Sequence, residues 1–302
     1  MPNDRPAHDH PVEQPTPDDT TVVAGPSEGP QEETDLRVRM RRFYGSSETY
    51  KGLLDAHDEE YAAPYVGLVR QYAGDRARLL ELGGGNGIAS RMLADAGFRV
   101  VGTDLSPLFL REVGGWGRPG LGYAVCDGFE LPFVDASFEV VCSNEYLEHV
   151  PDAQAALDEM TRVTAPGGRV MVMGPNLCSP FLPFREGVQA LRGRRSGLIW
   201  TDGPLDAWRK TLANIALIND KKRRTTPQFL HRAPDLEDRI IGGDADSAYL
   251  ATPADMETYF HRGGWKVIAL ASGGSRKGRL VASVMPRYAP YLSVVAERPL
   301  HT

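Results

Sequence analysis

Apolar positions recur at mixed three- and four-residue spacing from Asp35 onward, at Leu36, Met40, Phe43 and Tyr44 and then at Leu53, Leu54, Tyr61, Tyr65, Val66 and Val69. That spacing lines one helix face, so residues 36–77 read as helices preceding a core. The rhythm then shortens: apolar runs at 78–82, 99–103, 123–126, 140–143 and 169–174 alternate with helical stretches. Such alternation predicts an α/β fold, a doubly wound, mostly parallel sheet with helices on both faces. Ser106-Pro107 opens a short helix to Arg111. Asp152 caps a longer one, 152–164, whose stripe of Ala156, Leu157, Met160 and Val163 ends at Pro166-Gly167-Gly168.

Beyond Gly174 the pattern breaks over residues 176–252, far longer than an ordinary connection. A helical stretch at 205–217 lies inside this insertion, which is read as a lid over an acceptor site. Order returns with a helix at 253–263 and strands at 265–272 and 291–297. The chain is therefore read as one domain, 36–302, with N-terminal helices (36–77), a ligand-binding core (78–175), the insertion (176–252) and a closing helix and strands (253–302).

Composition separates the first 35 residues from the rest. They hold nine acids against Arg5 alone and seven prolines, so the chain's net charge of −6 belongs to them. With almost no large apolar side chains they are read as a disordered acidic tail. No basic start leads into an apolar block, and no uninterrupted apolar run approaches about 18 residues. The expectation is a soluble, cytoplasmic protein, with Cys126, Cys142 and Cys178 reduced and structural.

The chemistry gathers where strands end. Glu81-Leu82-Gly83-Gly84-Gly85-Asn86-Gly87 runs from the first strand into a glycine turn and a helix near Ile88. Glycines there let a ligand approach the backbone. Read from Gly83, the third glycine of a dinucleotide fingerprint would fall on Ile88, and Glu81 would oppose a diphosphate while suiting a cation. Asp104, followed by Leu105, ends the second strand, where a carboxylate can accept hydrogen bonds from both hydroxyls of a ribose. Asp127-Gly128 follows the third, placed to receive an adenine amino group.

Taken together, Leu79 to Asn176 resembles the class I S-adenosylmethionine-dependent methyltransferases of the broad small-molecule type, which include ubiquinone-pathway and natural-product enzymes. The resemblance implies a Rossmann-like fold and S-adenosyl-L-methionine as cofactor. It assigns Glu81, Gly83, Gly85, Asn86 and Gly87 to the amino-acid portion, Asp104 and Leu105 to the ribose, Asp127 and Gly128 to the adenine, and Asn144 to the methionine end. Phe133 to Val141 and Arg162 to Gly168 match further family segments of structural character. Gly84 departs from the pattern, which has Cys or Ala there.

Methyl transfer depends largely on proximity and orientation, but an alcohol acceptor must also lose a proton. Asn144-Glu145-Tyr146-Leu147-Glu148-His149 follows the fourth strand, with Glu145, Glu148 and His149 spaced for one face of a helical turn. Glu145 and His149 are the expected catalytic groups, His149 as proton acceptor. A similar Glu-x-x-Glu-His segment in ubiquinone-pathway and small-RNA methyltransferases can hold a divalent ion. A Glu-His pair before Val-Pro-Asp also occurs in metal-free relatives, where it packs the site floor, and no metal is assigned. His231 and His261 are the further ligands on offer, and nothing in the sequence selects either.

Residues 176–235 carry eleven Lys and Arg against five Asp and Glu. The expected partner is accordingly a small-molecule acceptor, with an anion as the sharp reading and a solvated basic loop as the plain one. Trp200, Trp208 and Tyr249 are candidate walls. Nucleic acid is disfavoured, because the basic residues lack aromatic interleaving or a known module. The expected activity is O-methylation in a sugar or natural-product pathway. The alternative is a fold member that performs a non-methylating reaction, or an inactive binding partner.

Overall fold

The structure is a computed structural model that describes residues 30–111, 113, 118–193, 200–237, 244–271 and 276–300. Three helices come first: α1 (Pro30–Ser46), α2 (Glu48–Asp55) and α3 (Glu59–Tyr72). The Ser47 side chain accepts from the Tyr50 N–H and that of Asp58 from the Tyr61 N–H, so capping residues set where α2 and α3 begin. Helix α1 starts at Pro30, ahead of the Asp35 start that the apolar spacing suggests. Residues 1–29 of the expected tail lie outside the described residues.

The core alternates β1 (Arg78–Leu82), α4 (Ile88–Asp95), β2 (Arg99–Asp104), α5 (Pro107–Leu110), β3 (Leu121–Val125) and β4 (Phe138–Asn144). It continues through a 3-10 turn (Leu147–His149), α6 (Ala153–Val163) and β5 (Thr164–Pro175). Then come α7 (Phe181–Leu191), α8 (Pro204–Lys221), α9 (Pro253–Arg262), β6 (Lys266–Ala271), α10 (Arg276–Val284) and β7 (Tyr291–Glu297).

Among the described residues seven strands form one sheet in the order β3-β2-β1-β4-β5-β7-β6, parallel except for the antiparallel β7. Two-residue periodicity divides the core. Leu80, Leu82, Val141, Val170, Val172 and Val294 face α6 and α9, while Leu79, Val140, Cys142, Met171 and Val295 face α3 and α4. Both faces are covered, which the near-continuous apolar strands require. The strand order reverses between the parallel neighbours β1 and β4, so a crevice opens beyond their carboxyl ends, where open α/β sheets bind ligands.

Within the insertion, α7 and α8 pack closely: a Cβ on Gly187 would stand 2.6 Å from that of Ala207. The buried Lys221–Asp255 ion pair at 2.6 Å ties α8 to α9. The sequence reading had no helix at α7 or α10. The α7 segment contains Pro183, which sits in its first turn and so costs no internal hydrogen bond.

Candidate functional site

Two adjoining cavities, of about 820 and 630 Å³, open at the carboxyl edge of β1, β2 and β4. Their shared wall is the glycine turn. Gly83, Gly85 and Gly87 all take positive φ, at 68°, 51° and 71°. Space forbids side chains at Gly83, where a Cβ would meet Tyr146 at 2.9 Å, and at Gly87, where it would meet Val113 at 2.3 Å. Gly128 packs directly against the same ring, and a Cβ there would lie 1.8 Å from the Tyr146 hydroxyl.

Two acids are held beside this turn. The Asp104 carboxylate accepts from the Gly85 N–H at 3.0 Å and the Ser106 N–H at 2.8 Å. Burial outweighs these bonds and raises its pKa to about 6. Glu81, 2% exposed, accepts from the Ser90 hydroxyl, and burial lifts it to about 7. Such groups regain charge when a ligand brings a cation or hydrogen-bond donors. Among the described residues no Lys lines either cavity, and Arg37 is the one Arg that does. The set therefore fits a nucleoside with a cationic end and fits a diphosphate poorly.

Asp127 departs from expectation. Its Oδ2 accepts from Arg37 Nε and Nη2 at 3.0 and 2.9 Å and from Arg41 Nη2 at 2.6 Å, while Oδ1 accepts from the Phe129 N–H. Burial would raise its pKa, but these donors hold it below the usual value. The carboxylate expected to greet an adenine amino group instead clamps α1 over the cleft, with the Arg37 guanidinium 4.9 Å above the Phe129 ring. Asn86 also turns inward, donating to the Leu54 carbonyl at 2.6 Å and so pinning the end of α2 to the glycine turn. Leu105 lines the larger cavity and Asn144 the smaller.

The opposite end is acidic. Glu145, with φ at 49°, lies outside the Leu147–His149 turn, so the single helical face expected for the Glu-x-x-Glu-His segment does not form. Its carboxylate accepts from the Tyr61 hydroxyl and, at 2.6 Å, from that of Tyr291. His149 lines both cavities. Its Nδ1 lies 3.1 Å from Asp246 Oδ2, which also accepts from the Tyr44 hydroxyl at 2.8 Å, and its Nε2 lies 3.9 Å from Glu148 Oε1. Burial disfavours an imidazolium, yet Asp246, Glu148 and Asp244 outweigh it and push His149 up to about 10. Burial raises Glu148 to about 8 and Asp244 to about 6.

Other expected groups stay away. The described basic residues of 176–235 line neither cavity, nor do Trp200, Trp208 and Tyr249. Tyr249 is buried, and Trp208 lies on the exposed side of α8. The insertion reaches the site through Asp244 and Asp246 instead, because the Ala248 and Tyr249 N–H groups donate to the Glu148 carbonyl. Sequence reasoning missed Tyr44, Tyr50 and Tyr61, which come from the N-terminal helices, and Asp246. The one signal available was a pair of acids ending a basic insertion.

Residues 80–172 match the family model described as a methyltransferase domain. This stretch is a methyltransferase domain. The chain is 42% identical over 107 residues to a demethylmenaquinone methyltransferase of Beutenbergia cavernae, covering 35% of this chain and 44% of that one. An uncharacterized methyltransferase of Mycobacterium leprae is 32% identical over 143 residues, 46% of this chain and 50% of its own. The chain thus spans about half the length or less of the curated relatives it matches. Among solved structures, the 1,6-didemethyltoxoflavin-N1-methyltransferase of Burkholderia thailandensis, with bound 1,6-didemethyltoxoflavin and S-adenosylhomocysteine, superposes with a TM-score of 0.54 at 16% identity, over 92% of this chain and 93% of that one. That likeness shows that the methyltransferase fold extends well beyond the matched domain.

Proposed function

We propose that the protein is a methyltransferase which uses S-adenosyl-L-methionine to methylate a hydroxyl of a small, uncharged acceptor. One observation carries this reading: the cleft joins a glycine turn flanked by the buried acids Glu81 and Asp104 to a polar end holding Glu145 and His149. The bound cofactor supplies an electrophilic methyl group on a sulfonium.

The residues divide the remaining work. Asp104 receives the ribose hydroxyls, and the glycine turn with Glu81 accommodates the cationic amino-acid portion. Gly128 and Phe129 line the larger cavity on the side assigned to the adenine. Asp127, already engaged, anchors α1 above that side and does not read the base. Leu105 and Phe109 supply apolar wall, and Asn144 borders the methionine end.

Proton transfer is reassigned between the two expected catalytic groups. An imidazole held protonated to about pH 10 cannot accept a proton at neutral pH, so His149 supplies positive charge to a developing oxyanion. Glu145 takes the proton; Tyr61 and Tyr291 fix its carboxylate at the junction of both cavities. The acceptor is uncharged because the surrounding groups are acidic and the basic residues of α7 and α8 lie elsewhere. Incubation with S-adenosyl-L-methionine and a panel of hydroxylated small molecules tests this by product mass. A gain of one methylene on a neutral alcohol or phenol supports it. Methylation of anions alone, or turnover without any mass gain, refutes it.

A further inference from the structure

We propose that the outer face of α8, together with the exposed apolar residues of α7, docks on the surface of a lipid bilayer that carries anionic headgroups. Helix α8 buries Ala207, Thr211, Ile218 and Lys221 against the domain, yet its opposite face is not polar. Leu205, Trp208, Leu212 and Ile215, three and four residues apart, share that face. All four are exposed, Leu205 by 88% and Trp208 by 60%. The outer side of a surface helix is ordinarily charged or polar. Its neighbours expose apolar groups as well, Phe184 and Leu191 on α7 and Leu280 and Val284 on α10. Helix α7 meets α8 at Gly187 and Ala207, and the Tyr288 hydroxyl, just beyond α10, donates to Asn219 of α8 at 2.5 Å. Nine of the fourteen large exposed apolar side chains among the described residues lie on these three helices or one residue past α10, so they are not singly scattered.

Charge selects the occupant. From Phe181 to Arg224 the chain carries ten Lys and Arg against four Asp and Glu. Three of those acids are already engaged: Asp206 by Arg209 and Lys210, Asp220 by Arg224, and the buried Glu186 by the Trp200 N–H and the Thr201 hydroxyl. Arg185, Arg192 and Arg223 are exposed and, among the described residues, in no ion pair. None of these cations lines either cavity, so a ligand in the cleft does not account for them. A bilayer answers both halves of the surface. Its acyl region takes the leucines and Trp208, and its phosphates take the guanidinium groups. Nucleic acid offers the charge without the apolar phase, and a second copy of this chain would set like charge against like. The buried Lys221–Asp255 pair fastens α8 to α9, so the helix docks with the domain attached and does not insert as a separate element.

The surface does not rest on the methyl-transfer reading, since it lies outside the cleft. The test sediments the full chain with vesicles of phosphatidylcholine, alone or with about one third phosphatidylglycerol. Binding to the anionic vesicles should exceed that to the neutral ones by about ten-fold or more and should fall in high salt. Arg185→Gln and Arg223→Gln should each weaken it about five-fold. Trp208→Ser combined with Leu212→Ser should weaken it by about ten-fold or more through lost apolar burial. Because these side chains are exposed, each variant should keep native circular dichroism and an unchanged affinity for S-adenosylhomocysteine, which reports the cofactor reading separately. A folded wild type that binds neither vesicle overturns the proposal, as does binding that the Trp208→Ser, Leu212→Ser variant retains in full. Dimerisation that the same substitutions abolish, or tighter binding to polyglutamate than to anionic vesicles, overturns it in favour of a protein partner.

Discussion

The two ends of the cleft are built by different means. The glycine-turn end is defined by backbone: three positive-φ glycines within five residues, and two acids at the tips of adjacent strands. Glu145, His149, Asp246 and the tyrosines of α1, α2 and α3 define the other end through side chains from five separate stretches of chain. The first end depends on local geometry and tolerates few substitutions. The second depends on how distant segments dock, so it can change its chemistry without disturbing the sheet.

Substitutions should separate the two. The largest effect is expected at Gly128: Gly128→Val collides with Tyr146 and should abolish S-adenosylhomocysteine binding in calorimetry while the sheet still folds. Unchanged affinity there would remove the adenine assignment from the account. Next, Glu145→Gln should lower kcat by about 10²- to 10⁴-fold and leave cofactor affinity within a few-fold. If instead the cofactor dissociation constant rises in step with the loss of turnover, the division between the ends is wrong.

Acidity sharpens the same contrast. Glu81 titrates near pH 7 in the folded protein, so lowering the pH neutralises it and removes the countercharge for a cationic ligand. S-adenosyl-L-methionine affinity at pH 5.5 should be about thirty-fold below that at pH 8, with Asp104, near 6, adding to the fall. The sign for stability is opposite. An acid whose folded pKa lies above its unfolded value takes up a proton on folding, so the ligand-free protein should lose stability as pH rises from about 4.5 toward 7. Glu81→Gln should flatten both trends, and a pH-independent affinity would contradict the role given to Glu81.

The smallest effect is expected at the α1 clamp. Asp127→Asn weakens the hold on Arg37 and Arg41 and should cost about 1 kcal/mol, read as faster proteolysis within α1 and a few-fold weaker cofactor binding. A direct adenine contact from Asp127 would show itself as a much larger loss of affinity with no change in proteolysis.

This division also explains what the sequence reveals. Strands β1 and β7 can be read to the residue, because apolar runs bounded by turns carry their own limits. The glycine turn is equally legible, since spacing and strand position lie within one short window. Asp127 is not: its partners Arg37 and Arg41 lie about ninety residues upstream, and nothing local shows that they will neutralise it. His149 is visible as a candidate, but its protonation follows from Asp244 and Asp246. The basic residues of 176–235 mislead for the same reason, since charge along a segment does not say which face meets the cleft.

The most direct test of the central claim is a calorimetric titration of the purified protein with S-adenosyl-L-methionine and S-adenosylhomocysteine, alongside NAD, repeated on Asp104→Ala. Both sulfur nucleosides should bind at one site and NAD should not, and Asp104→Ala should reduce affinity by about a hundred-fold, the loss of two charge-assisted hydrogen bonds. A folded wild type that binds neither sulfur nucleoside, or binds NAD in preference, would contradict it.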